Sequence, residues 1–192
     1  PCENLMIRQC CMRDGHGSVT IGSEMAGGVI NLTVKDCLFI NTDVDLGQDE
    51  TWPGKDAIVD GILFDNIQMD QVMTPLVINC FYFCDPDGHI DMFQQGGTSV
   101  DERTPQIRSL VFKNIEAKNC HVAGAFFYGL PEKKIQKVVM EHVHITYDET
   151  RSRSSAMLDG IEPCTKVGIL QIILKTDNAD VKVEGQEGER SY

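Results

Sequence analysis

Asn31-Leu32-Thr33-Val34-Lys35-Asp36-Cys37 and Gly61-Ile62-Leu63-Phe64-Asp65-Asn66-Ile67 are two copies of one seven-residue pattern. In both, apolar residues stand at the second, fourth and seventh places, and two polar residues separate the last two apolar ones. The second and fourth places alternate with the period of a β-strand. The polar pair marks a bend, after which an apolar side chain turns inward again. The pattern therefore predicts a bent strand with one apolar face.

Three further segments match this pattern without a gap: Asn4–Cys10, Ser109–Ile115 and Lys137–Val143. The five copies start at residues 4, 31, 61, 109 and 137, so the steps between them are 27, 30, 48 and 28. Leucine-rich repeats have shorter steps, and no segment carries the apolar stripe of a helix. One strand-rich coil per step of about 28 residues is typical of a parallel β-helix. We therefore predict an all-β solenoid.

The long third step predicts an insertion into one coil. The extra residues lie at about 81–104, a stretch rich in Gly, Asp and Gln that is typical of a surface loop or lobe. A sixth, weaker copy is expected near Asp180–Val183, so the predicted coils occupy residues 1–183. Residues 184–192 are predicted to form a polar C-terminal tail.

The net charge and the spacing of the cysteines argue against several classes of function. The net charge of −12 argues against nucleic-acid binding, and the chain has no apolar run long enough to cross a membrane. None of the eight cysteines forms a CxxC pair, so we predict no metal site and no cofactor. The cysteines are interpreted as buried free thiols, with disulfides as the alternative. This interpretation slightly favours a cytoplasmic location over secretion.

One motif precedes the second copy of the repeat. In Gly15-His16-Gly17 the histidine stands between two residues without side chains, so a ligand can approach it closely. Together with Ile21–Met25 and Gly27-Gly28, this segment resembles the catalytic-histidine region of glycoside hydrolase family 28, the polygalacturonases, and specifically their bacterial exo-acting branch. Three other segments are similar to that branch: Phe81–Gly88, Tyr128–Glu132 and Glu184–Glu189. The resemblance implies a right-handed parallel β-helix of the pectin-lyase type. It also implies hydrolysis of α-1,4-linked galacturonate, or of a related pectic linkage, with inversion.

The resemblance also assigns roles to four residues. His16 would be the catalytic histidine that orients or tunes a pair of acids, and the alternative is a turn histidine without a catalytic partner. Ser23 and Glu24 would line the substrate groove beside it, although Ser23 also suits a turn. Tyr82 would lie near the reducing-side subsite, with a buried strand aromatic as the alternative.

Two features depart from the family pattern. The family's catalytic carboxylates precede the Gly-His-Gly motif, whereas Glu3 and Asp14 are the only acids before His16 here. Asn41-Thr42-Asp43 has the letters of a family motif, but it stands in a later coil, and we interpret it as a chance match. The following loop is acidic over residues 43–50, where relatives carry a basic Arg-x-Lys. We therefore expect a C-terminal portion of such an enzyme, with an incomplete set of coils and no activity alone.

Three hypotheses remain open. The chain is part of a pectic hydrolase whose N-terminal coils are supplied elsewhere, a non-catalytic β-helical module for carbohydrate binding or assembly, or an engineered solenoid. The expected ligand is a pectic oligosaccharide or polysaccharide. The expected protein partner is either the missing N-terminal coils or a second copy bound through the first coil, around Asn4–Met12.

Overall fold

The computed structural model describes residues 1–22, 27–42, 57–79, 100, 104–121, 124–129, 133–148, 174–177 and 179–184. These residues form twelve β-strands and contain no helix. The described ranges accordingly hold no helix that could cross a membrane. The strands are β1 (Cys2–Arg8), β2 (Cys11–Arg13), β3 (Val29–Ile40), β4 (Ile58–Asp60), β5 (Ile62–Asp70), β6 (Leu76–Asn79), β7 (Gln106–Ile107), β8 (Ser109–Cys120), β9 (Ala125–Tyr128), β10 (Ile135–Tyr147), β11 (Leu174–Asp177) and β12 (Ala179–Glu184).

The strands belong to two sheets with parallel pairing throughout. The larger sheet has the order β12-β10-β8-β5-β3-β4-β7, with β1 and β2 both paired to β3, and the smaller has the order β11-β9-β6. Each strand of the larger sheet therefore lies beside the equivalent strand of the next coil. The chain passes through the smaller sheet at β6 between β5 and β8, at β9 between β8 and β10, and at β11 between β10 and β12. This arrangement is a parallel β-helix, and it confirms the fold predicted from the repeats.

The coils stack in the register that the sequence repeats predict. The fourth places of successive copies are neighbours, since Ile7 pairs with Val34, Val34 with Phe64, Phe64 with Phe112, and Phe112 with Met140. Strand β12 adds a further layer in the same register, with Val183 beside Met140. Inward residues of one coil thus rest on inward residues of the next.

The bends in the strands come from residues in the left-handed backbone conformation. At the sixth place of the repeat, φ is 55° at Gln9, 55° at Asp36, 57° at Asn66, 52° at Asn114 and 51° at His142. Asn and Asp tolerate this conformation better than other side-chain-bearing residues. The polar pair of the repeat therefore does mark the bend, because the bend requires a residue that accepts a positive φ.

A second row of left-handed residues lies five places further along each coil. It contains Asp14, Asn41, Gln71 and Asn119, with φ between 51° and 59°. The side chains of this row connect neighbouring coils, because the Asn41 amide donates to the Asp14 carboxylate at 2.8 Å. The Asn119 amide donates in the same way to the carboxylate of Asp70, at 2.7 Å. These hydrogen bonds hold the corners of successive coils in line.

The interior is filled by residues from both sheets. Phe112 is 1% exposed, and its ring stacks on Phe64 of the preceding coil at a centroid distance of 5.7 Å. On its other side it stacks on Phe127 of the smaller sheet at 6.1 Å, with the rings 4° from parallel. The aromatic column therefore joins two coils and two sheets.

Among the described residues, side chains of the first coil are less buried than their equivalents in the second. Leu5 and Leu32 hold equivalent places in the repeat and pair directly, yet Leu5 is 43% exposed and Leu32 only 3%. The neighbouring Met6 is 61% exposed. Within the described part of the chain, β1 pairs only with β3, so its outer edge carries backbone groups without strand partners.

The cysteines only partly follow the interpretation as buried thiols. All five cysteines in the described ranges are free, and Cys37 and Cys120 lie in the core. Cys2 and Cys11, however, are exposed, and both lie on the first coil. The other three cysteines lie outside the described residues. The predicted insertion at 81–104 lies almost wholly outside them too, as does the tail beyond Glu184.

Candidate functional site around His16

His16 lies in a turn that directly follows β2. The chain bends at Asp14, where φ is 57°, and then passes through Gly15, His16 and Gly17 before re-entering the coil at Ser18. His16 is exposed, whereas Val19 is already buried in the core. The turn therefore presents the imidazole at the surface and is anchored by the coil immediately behind it.

The glycines keep the surroundings of the imidazole open. A Cβ atom placed on Gly15 would meet only the backbone of Gly17, at 3.7 Å from its oxygen and 4.0 Å from its nitrogen. These are ordinary contact distances. Because Gly15 and Gly17 have no side chains, neither chain neighbour of His16 covers the ring.

The turn is attached at both ends to the next coil. At its start, the Asp14 amide donates to the carbonyl of Ile40 at 3.1 Å, and the Asn41 amide holds the Asp14 carboxylate. At its end, the hydroxyls of Ser18 and Thr42 are hydrogen-bonded at 3.1 Å. The three residues that hold the turn, 40–42, are consecutive in the sequence. The turn is therefore attached to a segment 24 to 26 residues away from His16.

The sequence of this chain matches a known protein family. The model of the family described as glycosyl hydrolases family 28 matches residues 1–164, which is most of the chain.

The chain belongs to glycoside hydrolase family 28.

An exopolygalacturonase of Arabidopsis thaliana is 39% identical to this family 28 chain over 92 residues, which are 45% of the chain and 20% of that protein. The match thus spans about one fifth of the relative's length. No solved structure matches the chain significantly.

The other predicted site residues of this family 28 chain cannot be placed around His16. Ser23 and Glu24 lie in the gap at residues 23–26, and Tyr82 lies in the gap at 80–99, so all three are outside the described residues. The acidic stretch 43–50 is also outside them. Their roles stay predictions.

Sequence reasoning missed the contribution of Asn41 and Thr42. We interpreted the triplet that contains them only as a chance match to a catalytic motif. The structure instead brings both residues against the His16 turn, from the neighbouring coil. The signal that would have found them is the repeat itself, because Asn41 stands 27 residues after Asp14, the same as the step from the first copy to the second.

One further group has the perturbed chemistry that functional sites often show. Burial raises the pKa of Tyr147 to about 12, with the neighbouring Cys120 as a second cause. Its hydroxyl hydrogen-bonds to no described residue, and it lies against Gly124, where a Cβ would stand only 2.5 Å away. Since desolvation is the main cause, we interpret Tyr147 as a packing residue at the end of β10.

The described residues offer no group of three or more His, Cys, Asp or Glu side chains that could hold a metal ion. The His16 turn presents an exposed imidazole. An imidazole can donate a hydrogen bond to a carboxylate, or accept one from a sugar hydroxyl.

Proposed function

We propose that this chain carries part of the active site of an exo-acting pectic glycoside hydrolase of the polygalacturonase type, with His16 as its functional histidine. The observation that carries the proposal is the exposed imidazole in a glycine-flanked turn, in a chain that belongs to family 28. The exopolygalacturonase among its relatives supports exo action. The bacterial branch is proposed from the resemblance of Phe81–Gly88 and Tyr128–Glu132.

In this proposal the imidazole acts on the acid pair of an inverting mechanism. Inversion needs an acid to protonate the leaving oxygen and a carboxylate to activate water, with the two groups about 6.5–9.5 Å apart. In this proposal a hydrogen bond donated by the His16 imidazole to one of these carboxylates favours the ionised state of that carboxylate, which must act as a base. Glu3 and Asp14 are the only acids before His16, and Asp14 is engaged by Asn41. We therefore propose that the 192-residue chain alone binds pectic oligosaccharides without hydrolysing them.

The test uses trigalacturonate and polygalacturonate with the chain and two histidine variants. We expect no release of reducing ends. We expect His16→Ala to weaken trigalacturonate binding, measured by calorimetry, about tenfold, since a hydrogen bond to a charged group contributes about 1.5–3 kcal/mol. His144→Ala is the matched control, because His144 is also exposed but lies on β10.

The outcomes of this test separate the parts of the proposal. Equal binding by the wild-type chain and His16→Ala would contradict the role of His16. Reducing-end release that disappears in His16→Ala and persists in His144→Ala would show that the chain is active, and so would refute only the proposed inactivity. Measurements at about 0.15 M salt limit the repulsion between the sugar acids and a protein of net charge −12.

A second candidate is a non-catalytic β-helical module for carbohydrate binding or assembly. The acidic composition and the acidic stretch at 43–50 favour it, because both repel a polyanionic substrate. This function predicts binding of a neutral pectic oligosaccharide in preference to trigalacturonate. The same calorimetric titration distinguishes the two functions.

We also propose that the chain self-associates through its first coil. The exposed edge of β1, with Leu5 and Met6 beside it, offers strand pairing and apolar surface to a second copy. Sedimentation velocity is expected to show a mass that rises with concentration, and Met6→Lys is expected to reduce this rise. A single monomeric species at every concentration would contradict the proposal.

A further inference from the structure

We infer that Asn41 and Thr42 are positioning residues that hold the His16 turn in its working geometry. This inference rests on the proposed function of His16, and it concerns residues that touch neither the substrate nor the reacting atoms. Both belong to the coil after the one that carries His16, so the geometry of the turn depends on how two coils stack.

The first contact is at the corner of the coil. The Asn41 amide donates to the Asp14 carboxylate at 2.8 Å, and the Asp14 amide donates to the Ile40 carbonyl at 3.1 Å. Asp14 is thus held by its side chain and its backbone at once. Since it stands two residues before His16, these two hydrogen bonds determine the direction in which the chain enters the turn.

The second contact is at the end of the turn. Ser18 stands two residues after His16, and its hydroxyl is hydrogen-bonded at 3.1 Å to that of Thr42. Thr42 is 2% exposed, and its carbonyl accepts the Met73 amide of the third coil at 3.2 Å. Thr42 is therefore a fixed point in the interior, and Ser18 is tied to it. Since Thr42 is buried and Ser18 only partly exposed, breaking this hydrogen bond leaves the Thr42 hydroxyl with little access to water.

The two contacts together explain how a glycine-flanked turn can place a side chain accurately. Gly15 and Gly17 give the backbone around His16 more conformational freedom than other residues would, although Gly17 itself takes part in a β-bridge, and that freedom would spread the positions of the imidazole. The hydrogen bonds at Asp14 and Ser18, each two residues from His16, remove most of that freedom. The glycines add no side chains beside the imidazole, and the hydrogen bonds from the neighbouring coil fix the backbone before and after it.

The corner contact is tested by a matched pair of variants, Asn41→Gly and Asn119→Gly. Both residues have a left-handed backbone, with φ of 51° and 55°, and glycine keeps that conformation while removing the amide. Both lose a side-chain hydrogen bond to an Asp of the preceding coil, to Asp14 in one case and to Asp70, the neighbour of Gln71, in the other. The two variants should therefore unfold at similar urea concentrations, and only Asn41→Gly should affect the turn.

The readouts are amide exchange at Asp14, ¹⁵N relaxation of residues 15–17, and trigalacturonate binding. We expect Asn41→Gly to accelerate exchange at Asp14 about five-fold and to increase the mobility of the turn, whereas Asn119→Gly changes neither. We expect trigalacturonate binding to weaken about three-fold in Asn41→Gly only. An unchanged turn in Asn41→Gly would overturn the inference for this residue.

The hydroxyl pair is tested with Thr42→Val, Thr42→Ser and a double-mutant cycle that includes Ser18→Ala. Valine removes the hydroxyl at nearly constant volume, so it should loosen the turn, and serine should restore the order. The effects of Thr42→Val and Ser18→Ala on exchange at the turn should be non-additive, because both delete the same hydrogen bond. Additive effects, or no rescue by serine, would overturn the role of Thr42.

These readouts also separate the inference from the function on which it rests. If the turn loosens in Asn41→Gly and Thr42→Val but trigalacturonate binding is unchanged, the positioning of the turn is upheld and the proposed role of His16 fails. If His16→Ala weakens binding while neither positioning variant alters the turn, the function stands and the inference fails.

Discussion

Phe112→Ala is expected to lower the free energy of unfolding by about 3–5 kcal/mol, the largest effect we predict for any side-chain truncation in this chain. Phe112 is 1% exposed and stacks between Phe64 and Phe127, at centroid distances of 5.7 and 6.1 Å. Its removal leaves a cavity in contact with both neighbouring rings. The two sheets and two coils that meet there cannot close it without shifting the paired strands β5 and β8.

Urea unfolding followed by circular dichroism measures this loss. Phe112→Leu is the control, since it keeps most of the apolar volume and should cost only about 1 kcal/mol. A loss below about 1 kcal/mol for Phe112→Ala would mean that the coils do not stack through this ring. Because solenoids can unfold in stages, the transition should be compared with that of tryptophan fluorescence before the free energies are interpreted.

Gly28→Ala is expected to destabilise the fold by at least about 3 kcal/mol, the sum of a left-handed backbone penalty and a backbone overlap. Gly28 has φ of 82°, and a Cβ there would lie 2.5 Å from the Ile58 nitrogen and closer still to its carbonyl oxygen. These atoms begin β4, which pairs with β3 through Val29 and Val59. The overlap can therefore be relieved only by separating two coils.

Gly61→Ala is the matched control for this substitution. Gly61 also has a positive φ, of 66°, but its Cβ would meet the side-chain oxygen of Asn31, at 2.6 Å, and a side chain can move. The equivalent places in the first two coils are held by Asn4 and Asn31, with φ of 56° and 58°. We expect a loss of about 1–2 kcal/mol for Gly61→Ala. Equal losses for both variants would contradict the backbone overlap at Gly28. Both are measured by the same urea titration.

Gly28 and Gly61 show that a sequence motif does not explain why glycine is required at a given position. Gly27-Gly28 belongs to the segment whose letters resemble family 28, but the letters give no reason for the second glycine. The reason is the neighbouring coil, whose backbone at Ile58 occupies the space that a side chain would need. The sequence alone does not distinguish a glycine that a turn requires from a glycine that close contact with another coil requires.

Much of the fold was predictable because its information is local and periodic. The apolar places of the repeat predicted the pairing of Ile7 with Val34 and of Phe64 with Phe112. The polar pair predicted the bends at Asp36 and Asn66, because few residues accept that backbone conformation. The exposure of Leu5, in contrast, was not predictable, because nothing in its own seven-residue segment distinguishes Leu5 from the buried Leu32.

The candidate site was predictable only in part. The sequence singled out His16 by its two neighbouring glycines and by the resemblance to family 28, and its role stays a prediction. It could not show that Asn41 and Thr42 hold the turn, because hydrogen bonds between coils depend on the exact step and orientation of the stack. A one-residue change in the 27-residue step would move both partners away, with no change in either motif.

By itself, then, the sequence determined the coil, the register and the position of the histidine turn in the repeat, because each follows from side chains close together in the chain. The tertiary structure alone decided why Gly28 must lack a side chain, and which residues of the next coil hold the His16 turn. These features depend on contacts between segments about 27 to 30 residues apart in the sequence, and only the stacking of the coils brings such segments together.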